Sequence, residues 1–295
     1  MPQPPAPLIR AEAFADLLAS DSPPVVLDVR WLMTGAQPQA YLEGHIPGAV
    51  FCDLETDLSD HSQPVEKAGR HPLPSALDFT DAMRKLGVRA DRAVVVYDAK
   101  ESVGAARAWW CLTYFGHPDV RVLDGGLSAW NGDGGSLNRG AGLDDLRLDR
   151  ALVEPGAFTA VPGSLSVVDI NQVAAGHGLV LVDVRAGERF RGEVEPMDPI
   201  PGRIPGAINS PTLDLVESDG RFLVPDALRA RFDAAGVLGG DGVPVAAYCG
   251  SGVTAAHTVL ALKLIDVDAA LFPGSYSQWC RDPERAIAKG PADQS

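Results

Sequence analysis

The chain alternates between short, continuous apolar runs and longer stretches in which apolar and polar residues mix. "AVVVYD" (93–98) and "PVAAYC" (244–249) are apolar at nearly every position and end in Asp or Cys. Runs of this kind fit strands covered on both faces, which is the environment of a parallel sheet. Between them, "DFTDAMRKLGV" and "AARAWWCLTYFG" read as helices, and another helix is expected from about Ala11. Strands alternating with helices predict an α/β fold, each unit a parallel sheet with helices on both faces. In such sheets ligands bind beyond the carboxyl ends of the strands.

The pattern occurs twice. "VVLDVRW" (25–31) matches "LVLVDVRAG" (179–187), and "GHIPGAVF" (44–51) matches "GRIPGAIN" (202–209). "AVVVYD" matches "PVAAYC", and "GGLSAW" (125–130) matches "GSYSQW" (274–279). Four pairs in the same order indicate a tandem duplicated domain; solenoid repeats are far shorter. The expected organisation is an N-terminal domain over 1–140, a linker over 141–160 and a C-terminal domain over 161–295. The Gly-, Pro- and charge-rich stretch from Asn131 to Pro162 surrounds that linker.

Composition narrows the function. A net charge of −14 argues against nucleic acid, whose binders need a basic face. An acidic protein that handles an anion must therefore gather its cations locally. No run of about 18 apolar residues suggests a membrane span, and the proline-rich N-terminus lacks the features of a secretory signal. Four cysteines (52, 111, 249, 280) stand far apart with no CxxC pair. They offer neither a zinc spacing nor a disulfide framework, and a reducing cytoplasm suits them.

Cys249 follows the apolar run directly and opens "CGSGVT". A loop between a strand and a helix N-terminus collects backbone N–H groups, and the helix dipole adds partial positive charge. A thiol placed there is a better nucleophile at neutral pH. Gly250 and Gly252 let the backbone curl around the sulfur, and the hydroxyls of Ser251 and Thr254 add donors for an anionic sulfur or oxyanion. The alternative is a buried core thiol in a glycine turn. The first half carries Asp98 at the matching place, a residue type usually exposed, which marks that half as an inactive scaffold. Cys111 in "AWWCLTYFG", His257, and the aromatics of "ARAWW" and "SAW" read as packing.

"CGSGVT", the two "IPGA" segments, "DVR", "RFRGEVEP" (189–196) and "GSYSQW" together resemble the two-domain rhodanese family, and within it the 3-mercaptopyruvate sulfurtransferases. The resemblance covers residues 8–280 in the family's order. It implies a tandem rhodanese-like fold with a catalytic C-terminal domain. It also implies a sulfurtransferase that moves sulfane sulfur from a donor through a Cys249 persulfide to a thiol or cyanide. The persulfide would be held by the N–H groups of the loop, Gly250, Gly252 and Val253 included, and by Ser251 and Thr254.

Thiosulfate-using members carry an Arg-Lys pair after the cysteine, where this chain has neutral Gly250 and Ser251, so the resemblance favours 3-mercaptopyruvate. Arg189 matches a substrate-binding arginine of the family and is the expected carboxylate clamp, since guanidinium grips carboxylate in a two-pronged way. Arg191 is a second candidate. The chain departs from the family at Met197, where another arginine is usual, and Arg203 is a conceivable substitute. The resemblance also implies a hydroxyl relay of Ser251 with His71 and Glu55, the last standing where an Asp is usual. No metal or organic cofactor is implied. The expected partners are a small-molecule donor (3-mercaptopyruvate or thiosulfate) and an acceptor such as thioredoxin, glutathione or cyanide. Three readings compete with this one: a thiosulfate sulfurtransferase, a persulfide carrier without turnover, and a phosphatase. The last needs an arginine six residues after the cysteine, where this chain has Ala255.

Overall fold

A computed structural model of the chain describes residues 5–140, 146, 150–176, 178–239 and 242–291. Of the expected linker, residues 141–145 and 147–149 lie outside the described residues. The chain divides into two compact units. The N-terminal unit comprises Met1–Ser59, Pro74–Leu165 and Ser218–Phe222, and the C-terminal unit Asp60–Leu73, Ser166–Glu217 and Leu223–Ser295. Residues 60–73 thus group with the second unit although they stand in the first half of the sequence.

The strands of the N-terminal unit are β1 (Leu8–Ile9), β2 (Val25–Asp28), β3 (Trp31–Leu32), β4 (Gly35–Ala36), β5 (Ala49–Phe51), β6 (Val94–Tyr97) and β7 (Val120–Leu123). Five of them form one sheet in the order β1-β7-β6-β2-β5, and every pairing in it is parallel. β3 and β4 form a separate antiparallel pair. β6 is buried at all four positions, the reason its sequence is apolar throughout. The helix Val103–Tyr114 is also buried along most of its length; its Trp110 and Cys111 are fully enclosed, as expected of packing residues. Each fully buried Val or Leu here contributes about 1.5–3 kcal/mol relative to exposure.

The C-terminal unit contains β8 (Val180–Asp183), β9 (Ile208–Asn209), β10 (Val245–Tyr248) and β11 (Ala269–Leu271). They form a parallel sheet in the order β11-β10-β8-β9. Val167 makes a single parallel bridge to Leu271, the remnant of the place that β1 takes beside β7 in the other unit. Helices flank both sheets. The helix that follows β10, Val253–Lys263, is buried on nearly every side.

The repeated "DVR" has a structural role in both units. Asp28 and Asp183 end their strands, and each accepts a bidentate guanidinium from the arginine two residues on. The same arginine donates to the carbonyl of the glycine that leads the "IPG" segment, Arg30 to Gly44 at 2.8 Å and Arg185 to Gly202 at 2.7 Å. Tyr97 and Tyr248, the last residues of β6 and β10, accept the N–H of Ile46 and of Ile204. One buried ionic clamp and one tyrosine thus pin the "IPG" turn at the carboxyl edge of each sheet. Burial works against the Arg185 cation, but Asp183, Tyr248 and Glu195 outweigh it and hold its pKa above the ordinary arginine value. Among the described residues no helix is long and apolar enough to cross a membrane.

Candidate active site

Cys249 stands immediately after β10, at the carboxyl edge of its sheet, with the helix Val253–Lys263 beginning four residues on. The loop between is held from one side by "GSYSQW". Tyr276 and Ser277 donate their N–H groups to the carbonyls of Cys249 and Gly250, at 3.1 and 2.8 Å. The Cys249 N–H donates to Ser275 Oγ at 3.2 Å, and that hydroxyl donates to the Phe272 carbonyl. These contacts explain why the motif recurs. In the N-terminal unit Leu127 and Ser128 of "GGLSAW" donate in the same way to the carbonyls of Asp98 and Ala99.

The loop turns back on the sulfur at Gly252, whose φ of +83° lies in the left-handed region. A Cβ there would lie 2.5 Å from the Pro273 carbonyl oxygen, so both conformation and space demand glycine. The turn aims the Gly252 N–H at Cys249 Sγ, 3.1 Å away. Val253 is fully buried as the first residue of the helix, and the Thr254 hydroxyl takes no hydrogen bond among the described residues. Cys249 and Ser251 are buried, 3% and 5% exposed. His71, 8% exposed, meets Ser251 Oγ through Nδ1 at 2.7 Å, within the C-terminal unit itself. Glu55 belongs to the N-terminal unit, where it accepts the Trp31 Nε1–H at 2.6 Å.

The cations gather here, as an acidic chain with an anionic ligand requires. Arg189 donates through Nε and Nη2 to Glu195, at 3.3 and 2.6 Å, and Glu195 also accepts Arg185. Asp198, its side chain fully buried, accepts Arg70 and Arg281, and Arg189 stands 3.8 Å from its other oxygen. Burial would raise the Glu195 carboxyl. The hydrogen bonds from Arg189 and the Met197 N–H, with the Arg189 charge, hold it below the usual carboxylate range. Arg191 points away into solvent and pairs with Glu193 at 2.7 Å. Arg203 is no substitute at the loop: it stacks on Phe190 and donates to the carbonyls of Gly290 and Pro291. Met197 is 41% exposed and serves through its N–H alone.

Several of these residues escaped sequence reasoning: Arg70, Glu195, Asp198, Arg281, and the serines of "GSYSQW". Arg70 and His71 are adjacent, and the histidine was the signal that could have found the arginine. Cys280 and Cys52 are buried thiols; burial and the neighbouring Asp198 push Cys280 up to about 11.

In the N-terminal unit Asp98 is buried rather than exposed. Its carboxylate accepts the N–H groups of Lys100, Ser102 and Gly104 at 2.9–3.0 Å, with Ala105 at 3.4 Å. The first loop therefore also gathers amides around an anion, supplied by its own side chain. Burial pushes Asp98 up to about 6 against the pull of those amides.

Comparison with known proteins agrees with this geometry. Residues 10–133 and 168–282 each match the model of the rhodanese-like domain. The chain is 45% identical over 286 residues to the "Putative thiosulfate sulfurtransferase SseB" of Mycobacterium tuberculosis, covering 97% of this chain and 98% of that one. It is 42% identical over 295 residues to the "Probable 3-mercaptopyruvate sulfurtransferase" of Pseudomonas aeruginosa, covering 97% and 99%. The crystal structure of SseA from Escherichia coli, a 3-mercaptopyruvate sulfotransferase of "Rhodanese" fold, superposes with a TM-score of 0.77 at 35% identity, covering 92% of this chain and 99% of that one. With both halves matched and the loop, clamp and turn repeated in each, the chain belongs to the rhodanese family of two-domain sulfurtransferases.

Proposed function

We propose that Cys249 carries sulfane sulfur from 3-mercaptopyruvate to a thiol or cyanide, and that the N-terminal unit is a catalytically silent scaffold. The observation that carries this is the Gly252 N–H directed at Cys249 Sγ, a ready donor to a thiolate or persulfide anion. In the first half-reaction Sγ attacks the donor's sulfur. The donor C–S bond breaks with its electron pair going to carbon, and the enolate so formed takes a proton from the Ser251 hydroxyl, which His71 reprotonates. In the second, an acceptor thiolate or cyanide attacks the outer sulfur and Cys249 leaves as thiolate. Thioredoxin and glutathione are suitable acceptors, and a reducing compartment such as the cytoplasm suits four unpaired thiols. In the first unit the Asp98 carboxylate fills the corresponding cradle and leaves no place for a sulfur anion.

The donor assignment rests on the neutral Gly250–Ser251 pair and on the Ser251–His71 contact, which suits a leaving carbon that must be protonated. Thiosulfate is the second reading, favoured by the printed name of the Mycobacterium tuberculosis relative. Steady-state turnover with each donor under one acceptor, beside Cys249→Ser, decides between them. A higher kcat/KM for mercaptopyruvate, absent from the variant, supports the proposal. A preference for thiosulfate reverses the donor assignment, and turnover retained by Cys249→Ser removes the mechanism.

A further inference from the structure

The cysteine loop and the segment that carries His71 are joined through a third stretch of the C-terminal unit, the "GSYSQW" turn. Ser277 ties both. Its N–H donates to the Gly250 carbonyl at 2.8 Å. Its hydroxyl accepts the N–H of Arg70, the residue before His71, at 3.1 Å and donates to the Gly274 carbonyl at 3.0 Å. Beside it, Gln278 donates Nε2 to the Lys67 carbonyl at 2.5 Å, and the short helix Val65–Ala68 packs on the helix Ser275–Trp279. The approach is so close that a Cβ on Gly69 would stand 2.5 Å from the Gly274 carbonyl oxygen. Ser277 is fully buried, so bulk water does not compete for its hydroxyl.

The N-terminal unit shows the same turn without this duty. There "GRF" (220–222) joins the unit as "GRH" (69–71) joins the other. It too lies against the first glycine of the turn, with Arg221 Cγ 3.0 Å from where a Cβ on Gly125 would be. The backbone tie to the loop is kept, from the Ser128 N–H to the Ala99 carbonyl at 3.0 Å. The side-chain ties are not. The Arg221 N–H bonds Asp219 Oδ1 within its own segment at 3.0 Å, Ser128 is exposed, and Ala129 stands where the other unit has Gln278. Phe222 stands where the other unit has the histidine. The backbone tie thus accompanies the loop in both units, and the side-chain ties accompany the imidazole.

We propose that Ser277 is a positioning residue: its hydroxyl, with the Gln278 amide, holds the segment before His71 in register with the cysteine loop. That register keeps His71 Nδ1 at 2.7 Å from Ser251 Oγ. The inference rests on the proposed sulfur transfer, in which His71 reprotonates Ser251, and Ser277 acts only through that histidine.

The test uses Ser277→Ala, which keeps the N–H on Gly250 and removes the hydroxyl alone, and Ser277→Thr, which restores it. Gln278→Met weakens the same tie at a partly exposed position, where the fold tolerates the change. Three quantities are read: kcat with 3-mercaptopyruvate, the rate of Cys249 alkylation by iodoacetamide, and the His71 Cε1–H resonance in histidine-labelled protein, assigned with His71→Gln. Ser277→Ala should lower kcat by about 10- to 100-fold, the scale of loss when a reacting group is slightly misplaced, with alkylation nearly unchanged. The resonance should move toward its position in Ser251→Ala, and Ser277→Thr should recover both it and kcat. Gln278→Met should shift both in the same direction, by less. Turnover and alkylation that fall together mean that Ser277 merely supports the loop, and overturn the proposal. So does a kcat that holds, or one that falls while the resonance stays in place. A parent chain that turns over no donor removes the sulfurtransferase reading instead, and the resonance then decides the placement of His71 by itself.

Discussion

Replacing Ser251 with Ala separates the hydroxyl relay from every other feature of the loop. The hydroxyl lies 2.7 Å from His71 Nδ1, and both side chains are buried, so no bulk water stands ready to take its place. Removing it leaves a buried imidazole nitrogen without this partner, at a cost to stability of about 1–3 kcal/mol. The larger effect should fall on chemistry, and on one donor. Pyruvate leaves as a carbon base that must be protonated, and a positioned proton donor contributes about 10²–10⁴-fold. Sulfite leaves thiosulfate as a stable anion and needs no proton as the S–S bond breaks. The variant should thus lose at least about 100-fold in kcat/KM for 3-mercaptopyruvate, or about 2.7 kcal/mol of transition-state stabilisation, and only a few-fold for thiosulfate. The assay is initial-rate turnover with both donors under one acceptor, with His71→Gln alongside. If the two substitutions act on one relay, the double variant should be little worse than either single one. Equal losses for both donors, or none for mercaptopyruvate, would refute the relay.

Two other outcomes follow from the geometry. Gly252→Ala must place a Cβ against the Pro273 carbonyl at a φ of +83°, a strain of about 1–2 kcal/mol before any clash. It should slow iodoacetamide alkylation of Cys249 and cut turnover by about 100-fold or more; unchanged alkylation would mean that the Gly252 N–H does not serve the sulfur. Burial holds Asp98 at about 6 in the folded chain against an ordinary value of 3.8. Folding therefore favours the protonated carboxyl, and this group's contribution is fully present below about pH 4 and lost as pH rises through about 6, on the order of 3 kcal/mol. Urea midpoints between pH 4.5 and 7 should show this loss in the parent chain and lack it in Asp98→Asn; parallel profiles would discount the burial of Asp98.

The duplicated fold was legible because burial on both faces forces strands such as "VVVY" and "VAAY" to be apolar throughout, and helices lie between them. The placement of Cys249 between a strand and a helix was legible too, since an apolar run, a glycine turn and a helix follow one another there. The clamp was not. Asp198 and Arg70 are 128 positions apart, and only the fold makes them neighbours. "DVR" drew notice as a repeat, yet nothing in the sequence says that its arginine turns inward onto its own aspartate while Arg189 reaches the loop. Asp98 was misjudged for a similar reason. A carboxylate is expected in solvent, and the amides that make burial tolerable belong to a loop whose curl the sequence does not display.

The placement of residues 60–73 has a consequence for how such a protein can be divided or inherited. Cutting the chain in its middle would produce two halves that look complete by every repeat they share. The second half would retain the cysteine and its glycines, but it would lack Arg70 and His71, which the chain supplies long before the cysteine. The duplicated copies are therefore no longer interchangeable modules. The half that holds the cysteine loop is built with fourteen residues from its sibling's stretch of the chain, and recombination that swapped one half between relatives would have to carry that segment along with it.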